Sequence, residues 1–334
     1  MNTESLKEIA QTILADGKGI LAADESTSTI EKRLTKISVE NTEPNRRAYR
    51  EMLFTAPQFG SYISGVIMYD ETIRQSASDG RSFVKLLQDE GAIPGIKVDE
   101  GTTAMEGSAE EKVTKGLEGL PPRLKEYFDI GARFAKWRAV YTISDTLPSD
   151  ANIRENAKGL AGYAKACQEA GIVPIVEPEV LMDGTHTRAR CEEVCEKVLI
   201  AVFEELNNAG VALEGMILKP NMIVPGSESG TKATPDEIAD ATLRLFNKVV
   251  PKDVPGIAFL SGGQSEVEAT VNLQAMNAKG THPWKLTFSY GRALQDSALK
   301  TWAGKPENVA AAQQVLLHRS QMNSLAAKGE YTGE

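Results

Sequence analysis

The chain has 334 residues, 41% of them hydrophobic, and a formal net charge of −9. Such a length and apolar content suit one large α/β barrel or two ordinary domains. The acidic balance argues against a nucleic-acid footprint, which needs a basic field, and no apolar run approaches the roughly 20 residues of a membrane span. A small anionic substrate stays open, because a few local cations outweigh a diffuse negative field. The opening residues, Met1-Asn2-Thr3-Glu4-Ser5, lack a basic stretch leading into an apolar one, so no signal peptide is expected. An odd number of cysteines (Cys167, Cys191 and Cys195) points to a reducing compartment. Cys191 and Cys195 share a helix face but lack a further Cys/His pair nearby, so packed thiols rather than a metal site are expected.

Leu6, Ile9, Ala10, Ile13 and Leu14 have the spacing of an amphipathic helix, ended by Gly17-Lys18-Gly19. Ile20-Leu21-Ala22-Ala23-Asp24 is a short apolar strand closing on a carboxylate. Helical material follows over 28–34 and again after Pro44. Further strands are expected at 62–70, 93–98, 134–141, 172–179, 213–221, 256–263 and 286–291. Helices fill the gaps, at 152–169 and 187–207. Thr234-Pro235-Asp236-Glu237 and Ser265-Glu266-Val267-Glu268 read as capping boxes. A long last helix spans 306–325. Eight apolar strands alternating with helices predict a closed (β/α)8 TIM barrel with extra N-terminal and C-terminal helices, one domain over 1–334. A doubly wound open sheet is the alternative, but no Gly-x-Gly-x-x-Gly follows the first strand.

In such a barrel the active site lies at the carboxyl ends of the strands. Those ends carry Asp24, Lys97, Lys136 with Arg138, Glu177 with Glu179, Lys219, Ser261 with Gly262, and Ser289-Tyr290-Gly291-Arg292. Lys136 and Arg138 are two apart and share a side of their strand, as do Glu177 and Glu179. An interior salt bridge of purely structural role would place Lys136 and Glu177 in the same way. Lys219 ends a core strand and precedes a proline. A surface lysine is the plain reading of that position, and a desolvated amine kept as a nucleophile is the sharper one. A lysine nucleophile wants a pKa about 3 units below the free value. Lys136, as a cation about 4 Å away, would supply roughly the 4 kcal/mol this requires. Ser261-Gly262-Gly263 and Gly291-Arg292 offer unhindered backbone N–H groups after strands seven and eight, the usual barrel phosphate site. The three histidines, His186, His282 and His318, fall at no strand end and read as ordinary surface or loop residues.

At these residues the sequence closely resembles class I fructose-bisphosphate aldolase, the metal-free Schiff-base type, from Gly17 to Tyr331. The matching stretches include Gly19 to Ser26, Gly95-Ile96-Lys97-Val98-Asp99, Phe134-Ala135-Lys136-Trp137-Arg138 and Val176-Glu177-Pro178-Glu179. Leu218-Lys219-Pro220-Asn221, Leu260 to Ser265 and Phe288 to Leu294 complete the set. The resemblance implies that Lys219 forms a Schiff base with the ketose carbonyl and that Glu177 is the acid/base for carbinolamine dehydration. Lys136 and Glu179 would tune the lysine and shuttle protons, and Asp24 would handle the hydroxyl proton lost on carbon–carbon cleavage. Ser261, Gly262, Ser289, Gly291 and Arg292 would hold the sugar bisphosphate at the phosphate nearer the carbonyl. Ser26, Thr29 and Lys97 would hold the far phosphate, with Arg33 and Arg138 nearby. It further implies no cofactor and no metal, a homotetramer, cytoskeletal binding in some members, and work in the cytosol, or in a plastid stroma once a transit peptide is removed. Three departures stand out. Thr29 replaces the usual serine. Glu100 stands where lysine is common, beside Lys97, and is expected to weaken phosphate affinity. Family members run on past Tyr331 to a tail ending in a tyrosine that assists enamine protonation, whereas this sequence stops at Glu334, so Tyr331 is not assigned that role. A transaldolase-like enzyme and a non-catalytic scaffold on the same fold are the competing functions.

Overall fold

The computed structural model describes residues 3–334. Eight parallel strands close a barrel: β1 (Gly19–Ala23), β2 (Ile63–Met68), β3 (Ile93–Lys97), β6 (Phe134–Tyr141), β7 (Val173–Val180), β8 (Ile217–Leu218), β9 (Gly256–Phe259) and β10 (Lys285–Tyr290). Between β3 and β6, a two-stranded antiparallel hairpin, β4 (Thr102–Met105) and β5 (Ser108–Thr114), rises outside the barrel wall. The barrel closes by pairing of β1 with β10, Ile20 opposite Ser289 and Leu21 opposite Tyr290.

Because side chains alternate along a strand, every second residue enters the barrel. Ile20, Ala22, Ile67, Phe134, Val173, Ile175, Ile217 and Ala258 form the inner apolar cluster, and Leu6, Ala10, Ile13 and Leu14 of the first helix (Thr3–Ile13) and its end plug it from below. The outward residues join the larger cluster beneath the surrounding helices. Phe134 fills the floor so tightly that a Cβ at Gly95 would stand 2.2 Å from its ring. Counting upward by twos from this floor gives the site. Phe134 leads to Lys136 and Arg138, Ile175 to Glu177 and Glu179, Ile217 to Lys219, and Ala22 to Asp24.

Both capping boxes form, at Thr234 with Glu237 and at Ser265 with Glu268. The last helix is preceded by a 3-10 turn at Pro306–Asn308 and runs Val309–Lys328. Two expectations need correction. The strand expected over 213–221 is only Ile217–Leu218, because Leu213–Gly215 winds into a 3-10 turn and Pro220 cannot donate to the ladder. His186 does lie in a loop, the one that follows β7, but it is buried, and neither ring nitrogen has a hydrogen-bond partner among the described residues.

Candidate active site

A cavity of about 410 Å3 opens at the carboxyl ends of the barrel strands. It is lined by all fifteen residues singled out above: Asp24, Ser26, Thr29, Arg33, Lys97, Lys136, Arg138, Glu177, Glu179, Lys219, Ser261, Gly262, Ser289, Gly291 and Arg292. It also takes in Glu25, Lys32 and Lys36, which were not anticipated. Lys32, on the helix Thr27–Thr35, and Lys36, which caps its C-terminal end, lie one turn apart and reach the cavity rim from outside the strand-end pattern. Eight cations thus face four carboxylates in this cavity, on a chain whose net charge is negative. The field inside favours an anion.

At the cavity floor, Lys219 is 3% exposed, and its Nζ lies 3.2 Å from Glu177 Oε1. The other Glu177 oxygen lies 3.2 Å from Lys136 Nζ, and Lys136 reaches Asp24 Oδ2 at 2.7 Å. Two amines and two carboxylates therefore alternate along one line: Lys219, Glu177, Lys136, Asp24. Lys136, expected as the cation that acts on Lys219, is itself paired with two carboxylates, and one of them, Glu177, also meets the Lys219 amine. Arg138 is paired with Glu179. Burial opposes the Lys136 ammonium, but Asp24 and Glu177 outweigh it and raise its pKa above the ordinary 10.5. Burial likewise opposes the Asp24 carboxylate, yet Lys136 and Lys219 hold its pKa well below the ordinary 3.8.

These directions predict a pH dependence. Asp24 titrates lower in the folded chain than in the unfolded one, so its stabilisation is complete above pH 3.8 and is lost as pH falls towards the folded pKa. Lys136 titrates higher when folded, so its stabilisation is complete below pH 10.5 and is lost as pH rises through the folded value. Denaturant titrations of the parent chain and of Asp24→Asn should converge as pH drops from 5 to 2. A gap between them that stays constant over that range would contradict the depressed Asp24 carboxyl.

Two helix N-termini meet the cavity. The helix Arg292–Trp302 starts directly after Gly291. The helix Thr27–Thr35 starts after Ser26, whose hydroxyl caps no backbone N–H and instead meets the hydroxyls of Ser28 at 3.2 Å and Thr29 at 3.0 Å. Free N–H groups at both starts favour phosphate. Gly262 has φ +57°, in the left-handed region that glycine enters without strain. Arg292 donates to the Gly262 carbonyl, drawing the loops after β9 and β10 together. The Ser289 hydroxyl is buried, lines the cavity and has no partner among the described residues. Met182 supports the same loop from behind, its thioether 2.8 Å from the Gly263 N–H.

The structure extends one sequence expectation at the rim and alters another. Arg33, one turn after Thr29, also stands close to Gly291, where a Cβ on Gly291 would be 3.6 Å from its guanidinium. The carboxylate that restrains Lys97 is Asp99, at 2.5 Å, and not Glu100, which lies 3.6 Å from Arg123 on the surface. Cys191 and Cys195 are packed thiols as expected, their sulfurs 3.9 Å apart and buried. Among the described residues no group of three or more His, Cys, Asp or Glu is arranged to hold a metal ion. Nor is any helix long and apolar enough to cross a membrane.

Residues 5–334 match the family model described as fructose-bisphosphate aldolase class-I. The chain is 57% identical to the cytoplasmic isozyme of fructose-bisphosphate aldolase from Spinacia oleracea, over 97% of this chain and 91% of that one. It is 54% identical to cytosolic fructose-bisphosphate aldolase 4 of Arabidopsis thaliana, over 100% of this chain and 85% of that one. Among solved structures, a fructose-bisphosphate aldolase from Plasmodium falciparum, in complex with TRAP and a small-molecule inhibitor, superposes with a TM-score of 0.98. It is 52% identical and covers 99% of this chain and 96% of its own.

Proposed function

The chain belongs to the class I fructose-bisphosphate aldolases, and we propose how its own residues divide the cleavage of fructose 1,6-bisphosphate into dihydroxyacetone phosphate and glyceraldehyde 3-phosphate. One observation carries the assignment. A buried amine, Lys219, touches a carboxylate, Glu177, at the floor of a cation-rich cavity flanked by two helix N-termini.

Glu177 takes a proton from the Lys219 ammonium, and the neutral amine adds to the ketose carbonyl. The carbinolamine loses its hydroxyl as water when Glu177 returns a proton to it, leaving a protonated imine on Lys219. That iminium accepts the electron pair of the bond between carbons three and four. Asp24 takes the proton from the hydroxyl on carbon four, which becomes the aldehyde of glyceraldehyde 3-phosphate. The remaining enamine is protonated and hydrolysed, releasing dihydroxyacetone phosphate and the free amine. Lys136, held between Glu177 and Asp24, aims both carboxylates and helps keep Asp24 ionised. Glu179, through its pair with Arg138, shapes the charge at the rim.

Phosphate recognition divides by the geometry of the rim. Ser261, Gly262, Ser289, Gly291, Arg292 and Arg33 surround one anion position, and Ser26, Thr29, Lys97 and Arg138 the other. Two fixed phosphates hold the scissile bond over the lysine, so that binding energy is used for orientation. Cytosolic work and a homotetramer are part of the proposal through family likeness, the spinach and Arabidopsis relatives being named cytoplasmic and cytosolic.

Borohydride added during turnover of fructose 1,6-bisphosphate tests the assignment. It should reduce the imine to a stable secondary amine on Lys219, located by peptide mass mapping. An adduct on another lysine, or none on an active enzyme, would overturn it.

A further inference from the structure

Behind the phosphate-facing Arg33 lies a second arginine that the mechanism does not use. Arg50, on the helix Glu43–Phe54, is 3% exposed and does not line the cavity. Its Nη2 lies 2.6 Å from Glu25 Oε2, while the other Glu25 oxygen pairs with Arg33 Nη1. The Glu25 side chain is itself only 4% exposed. It is thus a buried carboxylate clamped between one arginine inside the protein and one at the cavity wall. The clamp is anchored from behind. The Arg50 guanidinium lies 5.5 Å from the centre of the Tyr49 ring, the Tyr49 hydroxyl donates to Gln295 at 2.9 Å, and Gln295 donates to the Ala22 carbonyl at 2.7 Å.

The charge count suggests a use for this arrangement. Arg33 and Glu25 alone would be a neutral pair. To meet a phosphate, Arg33 would then have to abandon a buried carboxylate, and an unpaired buried charge is strongly unfavourable. With Arg50 present the three groups carry a net single positive charge, and Glu25 keeps a partner whichever way Arg33 turns.

We propose that Arg50 is a positioning residue for substrate binding: it holds Glu25 so that the Arg33 guanidinium can exchange that carboxylate for a substrate phosphate. This rests on the reading of Arg33 as a phosphate contact, and the test separates the two. Initial rates with fructose 1,6-bisphosphate are measured for Arg33→Ala, Arg50→Met, Arg50→Lys and the double variant Arg50→Met/Glu25→Gln, with melting temperatures recorded in parallel. Competitive inhibition by inorganic phosphate is measured for each.

Arg50→Met should raise KM and the phosphate inhibition constant roughly ten- to fiftyfold, the loss of one charge-assisted contact, while kcat changes by less than about threefold. Arg50→Lys should fall between parent and Arg50→Met. The double variant, which has no buried carboxylate to hold Arg33 back, should recover most of the lost affinity. If Arg33→Ala leaves KM unchanged, the phosphate reading of Arg33 fails and the proposal with it. If Arg33→Ala raises KM but Arg50→Met does not, the proposal alone fails. If the double variant binds as weakly as Arg50→Met, the role of Arg50 is structural and the proposal is wrong. Should Arg50→Met not fold, the double variant and Arg50→Lys decide by the same comparison.

Discussion

Lys219→Met should lose turnover by about 10^5-fold, the scale seen when an enzyme's nucleophile is removed, and should still fold. Methionine keeps the unbranched shape of the lysine stem, so the packing around β8 survives. What disappears is the amine that meets Glu177 Oε1; the other amine on Glu177 among the described residues, Lys136, is also held by Asp24 at 2.7 Å. The variant would keep its phosphate contacts and should still bind the bisphosphate. Without an amine at the floor, no imine can form, and the bond between carbons three and four has no electron sink. A coupled assay for glyceraldehyde 3-phosphate, with circular dichroism as the check on folding, measures this. Residual cleavage above about a thousandth of the parent rate would show that another group carries the covalent step.

Lys136→Met should harm both activity and stability, because this amine joins the two carboxylates of the site. Its removal leaves Glu177 sharing Lys219 and leaves Asp24 without the ion pair that holds it. Breaking a buried pair by removing one partner costs on the order of 3–5 kcal/mol. Misplacing the acid/base groups costs about 10^2–10^4 in rate. The double variant Lys136→Met/Asp24→Asn separates the two effects. With the orphaned charge removed it should regain most of the lost stability in urea denaturation, yet stay as slow as the single variant. A double variant as unstable as the single would mean that Lys136 stabilises by packing its stem and not by its charge.

Much of this site could be read in the sequence because a barrel strand repeats every two residues. Once Phe134, Ile175, Ile217 and Ala22 are recognised as inward, the residues two further on must face the cavity. That is why Asp24, Lys136, Glu177 and Lys219 were legible. Residues outside that rule were not. Lys32 and Lys36 sit on a helix and at its C-terminal cap, where charged residues one turn apart usually mark a solvated face. Glu25 and Arg50 become partners only when a helix and a strand end pack together. Asp99 and Glu100 adjoin each other in sequence, and only the loop geometry decides which of them meets Lys97. The hairpin β4–β5 is not legible because β4 is short and exposed and β5 is largely polar, with glycines at 101 and 107 where a turn and a loop would serve equally well. The strand at 213–221 was overdrawn because a short apolar run has no periodicity to separate a strand from a turn. The burial of His186 depends on the distant segment around Gly226, whose N–H donates to the His186 carbonyl, and no local pattern records that.

The seam between β1 and β10 bears on how the enzyme comes into being. Asp24 and Ser26 follow the first barrel strand, and Gly291 and Arg292 follow the last. A ribosome adding about 5–20 residues per second therefore needs on the order of 10 seconds to a minute between making one side of the cavity and the other. Throughout that interval β1 has no β10 to pair with, and its free edge can recruit other chains. No nascent fragment holds a finished binding site, so substrate cannot stabilise a partly made chain. The pairing of Ile20 with Ser289 and Leu21 with Tyr290 closes the barrel and brings the two sides of the phosphate grip together in one event.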